Sequence, residues 1–160
     1  MTTDSFLELQ QGQTVSWQHA ITAEEVDAFA RLSGDVNPIH LDDTFARVQG
    51  FRGRVVHGAL LTAFISRVLG TQLPGPGCLW LSQTTRFLQP VYIDDTIDVT
   101  VRVVHKSDAL HTLMLETSAK NRRGETVFTG EAKVRVSGER LIQHALADPF
   151  RENTDRSRVP

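Results

Sequence analysis

The sequence predicts an α+β protein in which an antiparallel sheet wraps one apolar helix. Helical signals fill the first half of the chain and strand signals the second, a segregation typical of α+β layers. The segment HGALLTAFISRVLG is apolar on nearly every side, so its helix belongs at the centre of the molecule. Farther on, Ile97, Val99, Val101 and Val103 alternate with Asp98, Thr100 and Arg102, the period of two expected of a half-buried strand.

The elements follow in order. Thr14–Trp17 forms a leading strand. Thr22 and Glu25 have the spacing of a capping box, in which each side chain satisfies a free backbone N–H of the other residue. Val26, Phe29 and Ala30 then recur at helical spacing, which sets a helix over Ala23–Leu32. Ser33-Gly34 ends it, because glycine accepts the left-handed conformation of a helix stop. Asp43–Val48 makes a short second helix, and a loop with Gly50, Arg52, Gly53 and Arg54 leads into the apolar helix. Leu79–Leu88, Leu110–Ala119 and Thr126–Val136 are rich in strand formers, with turns at Asp94-Asp95 and Asn121–Gly124. Residues 1–140 constitute one domain. Residues 141–160 form a C-terminal extension, with a short helical piece at Leu141–Leu146 and mobile chain from Asp148 onward.

The 160 residues suit a single domain with a sizeable core. Seventeen Lys and Arg against 19 Asp and Glu leave a net charge of −2, which argues against nucleic acid or an anionic membrane as partner. The single cysteine, Cys78, cannot close an internal disulfide or build a multi-thiolate zinc site, and a cytoplasmic setting is expected. The apolar stretch at 59–68 falls far short of the ~20 residues that span a bilayer. The opening MTTDSFLELQQGQ lacks the basic flank and apolar run of a secretory signal.

The informative segment is FARLSGDVNPIHLDDTFA, residues 29–46. Asp35 and His40 lie five residues apart. A regular strand puts that separation on opposite faces, and a regular helix puts it about 140° apart. A bend can bring them together, and Gly34 and Pro38 supply one. Glycine reaches unusual dihedrals, while proline fixes its own φ and drives Asn37 out of the helical region. A carboxylate and an imidazole facing one water make an acid–base pair near neutral pH. Composition alone leaves an ordinary turn open, since turn chemistry explains every residue here except the histidine.

The run Ser33-Gly34-Asp35-Val36-Asn37-Pro38-Ile39-His40, preceded by Phe29 and followed by Ala46, resembles the signature of the MaoC-like, (R)-specific enoyl-CoA hydratase family. Gly50-Phe51 and Val55-Val56-His57-Gly58 resemble the family's next block. The resemblance covers about Glu8 to Val136 and has no counterpart for the tail. It implies a hotdog fold, a homodimer with sites near the subunit interface, and an acyl-CoA thioester as substrate. The implied reaction is reversible hydration of a trans-2-enoyl-CoA to an (R)-3-hydroxyacyl-CoA. Asp35 and His40 would activate the water, and the backbone N–H of Gly58 would hold the thioester oxyanion. A free N–H at a helix start suits such a role physically. Asn37, His57, Arg52 and Arg54 are expected on the substrate-binding side. Asn37 would brace the loop, His57 would make a structural hydrogen bond, and the arginines would meet CoA phosphates. Neither a metal nor another cofactor is required. The alternatives are a 3-hydroxyacyl-[acyl carrier protein] dehydratase using the same residues, a hotdog thioesterase, and a non-catalytic acyl-thioester-binding subunit.

Overall fold

Thr22 starts the first helix as its spacing requires. The Glu25 N–H donates to Thr22 Oγ1 at 3.2 Å, and the Thr22 N–H donates to Glu25 Oε2 at 2.9 Å. The computed structural model describes residues 6–136, and helix α1 spans Ala23–Ser33 within it. Gly34 closes α1 in the left-handed region with φ 77°, its N–H on the Ala30 carbonyl. Such a φ strains any residue with a Cβ. A one-turn helix α2 follows at Pro38–Leu41, then α3 at Asp43–Val48 and α4 at Gly58–Thr71. The short α2 is not foreseen by the sequence reading, which has only a bend there. Its origin is local. Asn37 stays extended (ψ 126°) ahead of the proline, as X-Pro sterics demand, and Pro38 then sits at the first helical turn, where its missing N–H costs nothing.

Among the described residues five strands form one antiparallel sheet. They are β1 Thr14–Ala20, β2 Cys78–Phe87, β3 Thr96–Ser107, β4 Thr112–Asn121 and β5 Thr126–Val136, in the spatial order β1-β3-β4-β5-β2. The leading strand runs to Ala20 rather than Trp17 because its whole length pairs with β3, from Thr14 opposite Arg102 to Ala20 opposite Thr96. Strand β4 begins at Thr112 rather than Leu110, and Leu110 is exposed in the preceding turn. This is the hotdog architecture: α4 lies as the central helix against the wrapping sheet. Leu60, Leu61, Phe64, Ile65, Val68 and Leu69 face Val99, Val101, Leu113, Leu115 and Val134 in one buried cluster.

The apolar helix is not buried all round in the single chain. Ala59, Ala63, Ser66, Arg67 and Gly70 are exposed, because one sheet can cover only one side of a cylinder. Among the described residues no helix is long and apolar enough to cross a membrane. The expected extension at 141–160, with its helical piece at Leu141–Leu146, lies outside the described residues, as does the end of the 1–140 domain.

Candidate active site

The loop between α1 and α2 is built from its own side chains. Ser33 Oγ donates to the Phe29 carbonyl at 2.7 Å and accepts the Asp35 N–H at 3.2 Å. Asp35 Oδ1 accepts the Asn37 N–H, and Asn37 Oδ1 accepts the Ile39 N–H, both at 3.3 Å. Asp, Asn and Ser favour such short-range bonds to following backbone groups. The turn chemistry and the approach of Asp35 to His40 are therefore one structure, and the sequence alternatives do not exclude each other.

His40 rides on α2. The Val55 N–H donates to the Ile39 carbonyl at 2.9 Å, and the Val55 carbonyl lies 2.6 Å from His40 Nδ1. A carbonyl can only accept, so Nδ1 carries the proton and Nε2 keeps its lone pair when the ring is neutral. That Nε2 faces Asp35 Oδ2 across 3.8 Å. The carboxylate is half exposed (52%) and the imidazole largely buried (10%). Burial is the largest influence on His40 and lowers its pKa from the ordinary 6.5. The Val55 carbonyl and Asp35 oppose that shift, and neighbouring His57 reinforces it.

Gly58 is the first residue of α4, and its N–H has no acceptor among the described residues. Beside it opens an apolar pocket of about 370 Å³, with His40, Gly58, Leu61, Phe87 and Val91 in its walls. The Phe87 ring lies so close that a Cβ on Gly58 would come within 2.9 Å of it. His40 and Gly58 thus line one cavity.

The sequence expectations for the remaining residues divide. Asn37 caps α2 and is exposed. His57 does not line the apolar pocket. It is 1% exposed, stacks on His40 with ring centroids 3.8 Å apart, and donates Nε2–H to the Asp35 main-chain carbonyl at 3.0 Å. Arg54 is likewise turned inward. Its guanidinium pairs with Asp27, and its Nε donates to the His40 carbonyl at 2.6 Å, so it braces α2 and is not free for phosphate. Arg52 remains more than half exposed, paired with Asp95 and lying over the Tyr92 ring. Sequence reasoning misses Asp27 and Phe87, and it quotes Val55 only as part of the second block, without a role. Their partners lie 27, 29 and 15 positions away in the chain, and no local pattern announces these contacts.

Asp35, His40 and His57 bring ligand-type atoms within 4.8 Å of one another. The geometry suits a metal poorly. The two imidazoles stack at an interplanar angle of 28°, so their in-plane lone pairs do not converge, and His57 Nε2 is committed to a carbonyl.

Comparison with known proteins agrees with this fold. The family model described as a MaoC like domain matches residues 6–134. An (R)-specific enoyl-CoA hydratase from Rhodospirillum rubrum is 37% identical over 131 residues, covering 82% of this chain and 90% of that protein. One from Aeromonas caviae is 38% identical over 128 residues, covering 80% and 96%. The unliganded R-hydratase PhaJ1 from Pseudomonas aeruginosa superposes with a TM-score of 0.80 at 36% identity, covering 86% of this chain and 88% of that one. These matches set the chain in the hydratase and dehydratase class. The chain belongs to the MaoC-like dehydratase domain family.

Proposed function

We propose that the chain catalyses reversible hydration of trans-2-enoyl-CoA to (R)-3-hydroxyacyl-CoA. One observation carries the reading. A carboxylate oxygen and an unprotonated imidazole nitrogen, both acceptors, face each other across 3.8 Å. That is too long for a direct hydrogen bond, and two acceptors have no proton to share. A molecule with two donors and a nucleophilic oxygen satisfies both, and water is that molecule. One O–H points to Asp35, the other to His40 Nε2, and the oxygen lone pair is left facing the pocket.

Hydration follows by charge bookkeeping. The oxygen of the water forms a bond to C3 as its proton passes to the pair. The C2=C3 π electrons move toward the thioester, and the carbonyl oxygen gains negative charge. The Gly58 N–H at the start of α4 receives that charge, with the helix dipole acting in the same sense. C2 then takes a proton from the pair, so one H and one OH are added and the protein is unchanged. The two side chains act as one coupled acid–base unit. General acid–base chemistry supplies about 10²–10⁴-fold and an oxyanion donor about 3–4 kcal/mol.

The acyl chain occupies the pocket beside Gly58. Asn37, whose Oδ1 is used on Ile39, keeps its side-chain N–H groups exposed and available to substrate. Arg52 is the phosphate contact. It lines a cavity of about 410 Å³ together with Arg122 and Arg123, and Gln89 and Pro90 border both that cavity and the acyl pocket. The R configuration and the CoA carrier are supported by the names of the two hydratase relatives. A homodimer is supported by the outer edge of β2, which pairs only with β5 and exposes Leu79, Leu81 and Phe87.

The test is loss of enoyl-thioester absorbance with crotonyl-CoA and longer enoyl-CoAs, with chiral analysis of the product. Acyl-carrier-protein thioesters are run in parallel. Formation of (R)-3-hydroxyacyl-CoA supports the reading. Turnover of carrier-protein thioesters alone would move it to the dehydratase, and release of free CoA to a thioesterase.

A further inference from the structure

His57 is fully enclosed, yet one of its ring nitrogens has no partner among the described residues. Nε2 faces the Asp35 carbonyl, so Nε2 carries the proton, and the buried Nδ1 is left as an acceptor without a donor. An orphaned buried acceptor costs stability. A phenylalanine would fill the same space without that cost. What phenylalanine lacks is the N–H that holds Asp35.

The contacts of His57 converge on the reaction machinery from behind. Its Nε2–H fixes the main chain of Asp35 at 3.0 Å. Its face lies on the His40 ring, with centroids 3.8 Å apart and planes at 28°. Its own carbonyl receives the Leu60 and Leu61 N–H groups as α4 begins, and Gly58 is the next residue. The ring also lies beside Phe29, centroid to centroid 5.1 Å and tilted by 58°, and the Phe29 carbonyl anchors Ser33 and through it Asp35. His57 itself is not among the walls of the apolar pocket.

We infer that His57 is a positioning residue: its Nε2–H and its stacked ring together set the separation of Asp35 and His40. The inference rests on reading that pair as the water-activating unit. A single residue then ties Asp35 and His40, through its side chain, and the start of α4, through its carbonyl, to one origin. A hydrogen bond to the backbone fixes where the Asp35 carboxylate starts, and a stack fixes the plane in which the His40 lone pair points. Catalytic geometry of this kind is demanding, since a displacement of about 1 Å can cost about 10²-fold.

Two substitutions separate the two contacts. His57→Phe keeps a stacking ring and removes the donor, while His57→Gln keeps an N–H donor and removes the stack. In the full chain with crotonyl-CoA, His57→Phe is expected to lower kcat by about 10- to 100-fold with KM within about twofold, because the group acts on geometry and not on binding. His57→Gln is expected to retain more of kcat than His57→Phe does. A folded His57→Phe with wild-type kcat, or a loss confined to KM, overturns the inference.

Amide hydrogen exchange at Asn37, Ile39 and His40 provides a readout independent of any substrate. Protection there should fall by about tenfold or more in His57→Phe and stay within about threefold of wild type in His57→Gln. Unchanged protection in His57→Phe overturns the positioning role even if the wild-type chain proves inactive on every enoyl-thioester, an outcome that would sink the hydratase reading by itself. Should His57→Phe not fold, His57→Gln decides through the same amides. Retained protection supports the N–H tether, and loss of more than about tenfold in a folded protein overturns it.

Discussion

At the scale of single residues, the site depends on which nitrogen of His40 holds the proton. The Val55 carbonyl fixes that choice, and the lone pair toward Asp35 follows. Burial then lowers the His40 pKa, so the neutral base persists below pH 6.5. The acid limb of the kcat/KM profile is therefore expected below pH 6.5, and a limb above it would show that another group titrates. The sign for stability is the same. The unfolded chain protonates this histidine at its ordinary 6.5, and the folded chain does so only at lower pH. The stabilisation is complete above 6.5 and is lost as pH falls through the folded value. Asp35 and His40 were legible in the sequence because Gly34 and Pro38 announce a bend and the run from Ser33 to His40 resembles a known signature. The inward role of Arg54 was not legible. A guanidinium in a glycine-containing loop reads as a surface charge, and only the fold brings Asp27 and the His40 carbonyl to it.

At the scale of elements, α2 is a single turn and cannot hold itself, since helix nucleation is costly. It is held by Arg54, which reaches three helices at once. The guanidinium meets Asp27 on α1 and the His40 carbonyl on α2, and the Arg54 N–H donates to Asp43 Oδ1 on α3 at 2.9 Å. Arg54→Lys keeps the charge but cannot serve Asp27 and the carbonyl from one planar fork. It should cost about 1–2 kcal/mol, the lower end of charged hydrogen-bond losses, because Asp27 is partly exposed and screened. Thermal unfolding checks this, and an unchanged Tm would mean that α2 is held by the Val55 bonds alone. Helices α1, α3 and α4 were legible from a capping box, a glycine stop and apolar spacing, all of them local signals. Helix α2 was missed because one turn is too short to show a period.

At the scale of the whole molecule, the sheet order β1-β3-β4-β5-β2 was not legible, because strand pairing depends on contacts far apart in sequence. The segregation of helices from strands predicted the layers but gave no means of ranking the possible orders. That order leaves β2 as an edge carrying exposed Leu79 and Leu81. It also leaves one side of α4 open, lined by small residues at Ala59, Ala63 and Gly70. A second copy joined at β2 would continue the sheet and cover these apolar residues. Leu81→Arg at that edge is expected to shift the chain from dimer to monomer in analytical ultracentrifugation while the monomer stays folded. A monomeric wild type, or a dimer indifferent to the substitution, would remove the β2 interface.

The acid–base pair itself is tested most directly by Asp35→Asn. The amide keeps the size of the carboxylate and an oxygen to accept the Asn37 N–H, and it loses the charge. With crotonyl-CoA, turnover is expected to fall by at least about 10²-fold at an unchanged Tm, the loss typical of a missing acid–base group. Wild-type turnover in a folded Asp35→Asn protein would contradict a water held between Asp35 and His40.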